Sequence, residues 1–174
     1  QQVNDMLDLQ GFFKEKLELP LYLAYGTLLG AVREKDFISH DTDIDMAYLS
    51  KYHTEIEVRK EIEEIKKVLN QYGLLVESFK NGGQFHISSP SKKTIIDVWT
   101  SWIENGEYHI IPLRKVGSQE DLLPMGTRLL HNQLFYVPNN DVKILDNIYI
   151  NWLVPVKKEK NKTYLKLKSK FFGY

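Results

Sequence analysis

Residues 25–48 carry most of the information about the fold, and they read YGTLLGAVREKDFISHDTDIDMAY. The apolar run at 21–25 predicts a short buried strand that ends in a turn at Gly26. Residues 28–33 predict a short helix behind this turn, and residues 44–49 predict a second strand. A strand, a glycine turn, a helix and a second strand that begins with acids therefore follow one another.

Asp43 and Asp45 stand one residue apart at the predicted start of the second strand. Side chains alternate along a strand, so both acids would face the same way while Ile44 points into the core. Two carboxylates on one face repel each other unless they are protonated or bridged by a cation. Oxygen ligands suit Mg²⁺ (or Mn²⁺), which needs few protein ligands when phosphate oxygens supply the rest. We therefore predict a metal site at Asp43 and Asp45.

Asp97 interrupts an otherwise apolar strand predicted at residues 94–102. An isolated buried charge is costly, so this carboxylate needs a partner or a metal. If its strand lies beside that of Asp43 and Asp45, the three acids converge on one or two cations. We predict that all three are metal ligands and catalytic residues.

Four further residues are predicted to bind phosphate. Gly26 allows close backbone approach to a phosphate, and Thr27 offers a hydroxyl near the start of a helix, where anions are favoured. The guanidinium group of Arg33 could bind a phosphate through two parallel hydrogen bonds. His86 lies on a predicted strand that could flank Asp97, where it would contact a phosphate or act as an acid; the alternative is a hydrogen-bonded structural histidine.

Each of these motifs also has a structural explanation. Acid-rich loops are common at turns and helix caps, and Gly-Thr pairs are frequent. The three tryptophans are predicted core residues, with Trp102 the best candidate for a sugar-stacking platform. The order of the motifs along the chain favours a catalytic centre.

This order resembles the nucleotidyltransferase fold, and two strings narrow the likeness to the LicD family, which includes the fukutin-related proteins. The strings are GTLLGAVR at 26–33 and DTDID at 41–45. The segment at 146–155 resembles the closing element of that family more loosely. Ser39 and His40 replace the Pro-Trp of the family pattern, and Thr42 replaces its middle Asp, but both acids of the Asp-x-Asp pair remain.

The resemblance implies transfer of a phospho-substituent, such as phosphocholine or polyol phosphate, from a CDP-linked donor to a sugar hydroxyl. The implied acceptors are cell-surface glycans such as lipopolysaccharide, teichoic acid or capsule. It further implies that Asp43 and Asp45 hold the metal, and that Asp97 is a second ligand or the general base. Asp41 would cap or orient the loop.

Two other functions use the same residues. A nucleotidyltransferase would move a nucleoside monophosphate with the same three acids. An inactive module of the same fold would bind glycans or a partner, but it would have no reason to keep all three.

The rest of the chain predicts an α+β fold, a nucleotidyltransferase-like mixed sheet flanked by helices with a C-terminal helical extension. We expect one domain at 1–156 and a basic tail at 157–174. Further helices are predicted at 3–16, 54–72 and 138–150, further strands at 74–79, 84–88 and 107–111, and a strand or hairpin at 128–137.

Charge and composition set limits on partners. The 174 residues carry no net charge, but residues 157–170 hold seven lysines and one acid, which leaves an excess of acids elsewhere. An acidic body is a poor nucleic-acid binder, so we expect none. The basic tail could contact an anionic membrane, and the alternative is a solvated terminus.

The absence of cysteine and the lack of a long apolar run predict a cytoplasmic location, at the inner face of the membrane if the tail binds lipid. Because the chain opens Gln-Gln, we expect it to belong to a larger chain.

Overall fold

The computed structural model describes residues 1–39, 41–80 and 82–155. The helices in these residues are α1 Gln2–Phe12, which continues as a π-helical segment at Phe13–Leu17, α2 Tyr25–Arg33, α3 Glu55–Gln71, α4 Gln119–Leu122 and α5 Asp141–Ile148. The strands are β1 Leu21–Leu23, β2 Asp45–Leu49, β3 Leu75–Ser78, β4 Gln84–Ser88, β5 Ile95–Glu104, β6 Glu107–Ile110, β7 Lys115–Ser118, β8 Gly126–Leu130 and β9 Gln133–Val137.

A mixed seven-stranded sheet with flanking helices forms the centre of the fold and confirms the predicted α+β class. Its strand order is β1-β2-β5-β4-β3, and β6 and β7 extend it from the far part of β5. The β2–β5 pair is parallel and the other pairs are antiparallel. β5 is therefore the central strand, and its first half lies between β2 and β4.

The two strongest helix predictions are confirmed, and their apolar spacing explains why. In α1 the residues at helical spacing, Val3, Met6 and Leu9, are buried in the hydrophobic core. In α3 the buried positions follow the same period, and Thr54 caps the helix by accepting a hydrogen bond from the Glu57 N–H. Both helices therefore contribute an apolar face to the core, and α3 packs against β3 and β5.

The helix behind the first strand starts earlier than the sequence predicts. Its first turn is closed by a hydrogen bond from Leu28 N to Ala24 O, at 3.0 Å, so α2 begins at Tyr25. Gly26 and Thr27 therefore lie inside the first helical turn rather than in front of it.

The acidic strand starts later than predicted, at Asp45. Its pairing with β5 begins there, at the Asp45–Asp97 pair, and Asp45 O accepts the Ala24 N–H. Asp43 therefore lies in the loop before β2, and the expectation that Asp43 and Asp45 alternate along one strand is wrong.

The second half of the chain adds elements that the sequence did not predict. β7 and the short helix α4 follow β6 directly, and α4 is held by a capping box between Ser118 and Asp121. The hairpin predicted at 128–137 is formed by β8 and β9, and α5 confirms the helix predicted at 138–150. The basic tail at 157–174 lies outside the described residues. In the described part of the chain, no helix is long and apolar enough to cross a membrane.

Candidate active site

The parallel pairing of β2 and β5 places two of the predicted catalytic acids side by side. Asp45 and Asp97 are direct register partners, and Asp97 N donates to Ile44 O at 2.8 Å. Register partners on adjacent strands face the same side of a sheet, so the two carboxyl groups share one face. The sequence prediction that the Asp97 strand lies beside the Asp45 strand is confirmed.

Both oxygens of the Asp45 carboxylate accept a hydrogen bond from an N–H group. The Trp99 indole Nε1 donates to Oδ1 at 3.0 Å, and the Gly26 backbone N donates to Oδ2 at 3.2 Å. The two donors come from β5 and from the first turn of α2. The plane of the Asp45 carboxylate is thus fixed from two sides.

Thr27 holds the backbone of the same residue. Its side chain is buried, and Thr27 Oγ1 accepts a hydrogen bond from Asp45 N at 2.8 Å. This contact ties the start of β2 to the first turn of α2. The structure thus gives the Thr27 hydroxyl a positioning contact, in addition to the phosphate contact that the sequence suggested.

At Gly26, α2 closely approaches the carboxylates of Asp41 and Asp45. A methyl group on Gly26 would lie 2.9 Å from Asp41 Oδ2 and 3.3 Å from Asp45 Oδ2. A side chain here would displace both carboxylates, so glycine is required by the close approach. Asp41, predicted only to cap or orient the loop, also accepts the Asp43 N–H at Oδ1, at 3.4 Å.

Asp97 has its own partners on the neighbouring strand. His86, its register partner on β4, places Nε2 2.9 Å from Asp97 Oδ1, and the Gln84 side chain also hydrogen bonds to this carboxylate. His86 Nδ1 lies 3.7 Å from Glu77 Oε2, and its ring packs edge-on against Phe79. His86 therefore lies at the candidate site, in contact with an acid.

The acids of the site raise one another's pKa values. The pKa of Asp45 is raised to about 7: burial is the largest cause and the charges of Asp97 and Asp41 add to it, while the hydrogen bonds from Trp99 and Gly26 lower the pKa. Burial also raises the pKa of Asp97; the Asp43 charge adds to this, and His86 opposes it. A cluster of carboxylates that disfavours its own charge favours a bound cation.

The chemistry of these donors fits a hard divalent cation. Mg²⁺ is usually held by one or two carboxylates together with substrate phosphates and water. Each oxygen of Asp45 accepts one N–H and retains a lone pair for a further ligand. Among residues 1–39, 41–80 and 82–155, no three His, Asp or Glu side chains are grouped closely enough to hold a metal by themselves. The donor phosphates would therefore have to complete the coordination.

Arg33 is the predicted site residue that the structure does not bring to this cluster. It is the last residue of α2, so the helical rise sets it about 10 Å along the axis from Gly26. Its guanidinium donates to Trp152 O at 2.8 Å and pairs with Glu34 at 2.6 Å. In this position Arg33 ties α2 to the segment that follows α5.

Three aromatic residues line the site, and sequence reasoning did not assign them to it. Trp99 was predicted to be a core residue, but it contacts Asp45 and packs edge-on against Tyr25, with ring centroids 5.0 Å apart. Tyr149 is buried near the acids, and after burial itself the charges of Asp45 and Asp41 raise its pKa. The available signal was spacing, because Trp99 lies two residues after Asp97 on the same strand face. Trp102 is only 1% exposed, which confirms its prediction as a core residue and excludes the alternative of a sugar-stacking platform.

Comparison with known families identifies the fold that carries these residues. Residues 18–140, well over half of the chain, match the family model of the LicD/FKTN/FKRP nucleotidyltransferase domain. The chain belongs to the LicD family. The match includes every acid of the site, whereas the segment at 146–155 lies beyond it. A comparison with curated proteins found no match. LicD-family proteins are generally transferases, and this supports an enzymatic role for the chain.

Proposed function

We propose that this LicD-family chain is a metal-dependent transferase that moves phosphocholine or polyol phosphate from a CDP-linked donor to a sugar hydroxyl of a cell-surface glycan. The observation that carries the proposal is the register pairing of Asp45 with Asp97. It sets two acids with raised pKa values beside the N-terminus of α2, within the matched domain. The identity of the donor rests on the family resemblance.

Asp45 and Asp97, which share one face of the sheet, would hold Mg²⁺ or Mn²⁺ together with phosphate oxygens of the donor. Asp43 is not grouped with them closely enough to complete a three-residue metal site in the described residues, and it would favour the cation through its nearby charge. Once bound, the cation would neutralise the diphosphate of the donor and make its phosphorus easier to attack. Gly26 lets the acidic loop reach the N-terminus of α2, where the helix dipole favours negative charge. Thr27 holds the Asp45 backbone in place while the donor binds.

The transfer forms one bond and breaks one bond at the same phosphorus. The sugar hydroxyl oxygen attacks the phosphorus that carries the substituent, and the bond from this phosphorus to the bridging oxygen breaks. CMP leaves with the electron pair, and Asp97 takes the proton of the hydroxyl. His86 would orient Asp97 for this proton transfer through its contact with Oδ1.

The test is to follow two labels in one reaction. The protein is incubated with Mn²⁺, a lipopolysaccharide or teichoic acid acceptor, and CDP-choline that carries one isotope in choline and another in cytidine. The proposal predicts that the choline label reaches the glycan while an equal amount of labelled CMP is released. Cytidine label on the glycan would instead indicate a nucleotidyltransferase.

Metal binding distinguishes the proposed transferase from an inactive module of the same fold. The Asp45→Asn variant should lose Mn²⁺ affinity relative to wild type if the site is catalytic. Equal and weak Mn²⁺ binding by both proteins would support the inactive module and overturn the proposed function.

A further inference from the structure

Trp99 is the residue at the site whose chemistry the proposed function leaves unused. It is one of three tryptophans, and each donates its indole N–H to a carboxylate: Trp99 to Asp45 at 3.0 Å, Trp102 to Glu104 at 3.0 Å and Trp152 to Asp146 at 2.8 Å. Of these three acids, Asp45 is the one in the candidate metal site. An indole N–H can only donate, so it stabilises one fixed position of the oxygen that it contacts.

The position of Trp99 is itself fixed from three directions. Its backbone pairs with Ala47 on β2 and with Gln84 on β4, in the middle of the sheet. Its ring packs edge-on against Tyr25. The indole is therefore held by the sheet on one side and by the start of α2 on the other.

Tyr25 is in turn held by the far end of the sheet region. Its hydroxyl donates to Ile111 O at 2.7 Å. Its backbone has φ +44°, in the left-handed region that residues other than glycine rarely adopt. A strained backbone conformation of this kind persists only where surrounding contacts hold it in place, and such conformations are typical of functional sites. Tyr25 thus forms a rigid support for the Trp99 indole.

Of the two N–H donors to Asp45, only one can be removed by a substitution. The Gly26 N–H belongs to the first turn of α2 and is fixed by the backbone. The Trp99 N–H comes from a side chain, so it is the donor that a substitution can remove. Partners behind a metal-binding carboxylate typically change metal affinity by about 10–100-fold when they are lost.

We propose that Trp99 is a positioning residue: its indole N–H fixes the Asp45 carboxylate in the orientation that binds the divalent cation. The proposal rests on the proposed function, because it assumes a cation at Asp45. It assigns Trp99 no contact with the donor or the acceptor. Loss of the indole N–H should therefore weaken metal binding while leaving turnover at saturating metal largely intact.

The test compares Trp99→Phe with wild type and with the matched control Trp102→Phe. Trp102 lies three residues further along β5, on the opposite face, and also donates to a carboxylate. Mn²⁺ affinity is read from the electron paramagnetic resonance signal of free Mn²⁺. We expect about 10–100-fold weaker binding for Trp99→Phe and a change below about twofold for Trp102→Phe. For Trp99→Phe, transferase assays should show a raised metal requirement with kcat recovered at high Mn²⁺.

A second replacement separates the N–H group from the shape of the ring. β-(3-Benzothienyl)alanine at position 99 keeps the bicyclic ring that packs on Tyr25 but has no N–H. The same loss of Mn²⁺ affinity in this variant supports the proposal, and wild-type affinity overturns it. If wild type itself binds no Mn²⁺, the proposed function fails; if wild type and Trp99→Phe bind Mn²⁺ equally, only the role of Trp99 fails.

Discussion

Asp45 and Asp97 are register partners on adjacent parallel strands, and their carboxyl groups lie on one face of the sheet. This pairing brings together acids that are far apart in the sequence. Burial is the largest cause of the raised pKa of both carboxyl groups; the Asp97 charge adds to the shift of Asp45, and the Asp43 charge adds to that of Asp97. The predictions below test the site that this pairing builds.

Removal of either acid of the Asp-x-Asp pair should abolish transfer. We expect Asp45→Asn and Asp43→Asn to lower kcat by at least about 100-fold, because interactions that stabilise the charge of a transition state contribute on this scale. Near-wild-type turnover in both variants would remove the basis of the proposed mechanism. Asp8→Asn, which changes an exposed acid on α1, is the control and should leave kcat unchanged.

Metal-free stability should depend on pH through Asp45. Its pKa is raised from the ordinary 3.8 to about 7 in the folded chain, so the native state holds the proton more tightly than the unfolded state. The stabilising protonated form is lost as pH rises, and stability therefore falls between about pH 4 and about pH 7. The Asp45→Asn variant cannot ionise at position 45, so its stability lacks this pH-dependent contribution.

Urea unfolding in the presence of a chelator measures this dependence. The free energy of unfolding of wild type minus that of Asp45→Asn should decrease across this range, with a slope of at most about 1.4 kcal/mol per pH unit. The difference should level off above about pH 8. Parallel pH profiles for the two proteins would show that Asp45 has an ordinary pKa.

The close approach at Gly26 predicts a steric effect on metal binding. Gly26→Ala should weaken Mn²⁺ binding by at least about tenfold, because its methyl group would displace the carboxylates of Asp41 and Asp45. Gly11→Ala is the matched control within a helix, since a methyl group there has no neighbour within 4 Å. It should raise stability by about 0.5–1 kcal/mol and leave Mn²⁺ affinity as it is. Equal affinities in both variants would contradict the described packing.

The Thr27 hydroxyl should matter through the Asp45 backbone. Thr27→Val keeps the shape of the side chain but leaves the buried Asp45 N–H without its acceptor, and we expect a loss of about 1–3 kcal/mol in the free energy of unfolding. Thr27→Ser retains the hydroxyl and should lose less. Calorimetry of the two variants compares them directly, and equal losses would assign the effect to packing.

The sequence was sufficient to predict the elements with a strong hydrophobic period and to identify the acids of the site. The apolar spacing of α1 and α3 predicted both helices, and the lone charge in an apolar strand identified Asp97. The prediction that Asp97 lies beside Asp45 depended on strand order, and the order of the motifs along the chain was enough to suggest it.

Side-chain partners could not be predicted in the same way. Arg33 follows Gly26 by only seven residues, but one continuous helix carries it to the other end of α2, where Trp152 and Glu34 bind it. Trp99 contacts Asp45 only because β2 and β5 pair in one particular register. We could not read this register from the sequence alone. The exact start of β2, which leaves Asp43 in a loop, likewise depends on its pairing with β5.

Anomalous diffraction from crystals soaked with Mn²⁺ and CDP tests the central claim most directly. The account predicts a manganese peak in contact with the carboxylates of Asp45 and Asp97, with the diphosphate of CDP completing its coordination. A peak bound by other residues, or CDP bound with no manganese at these two acids, would contradict it.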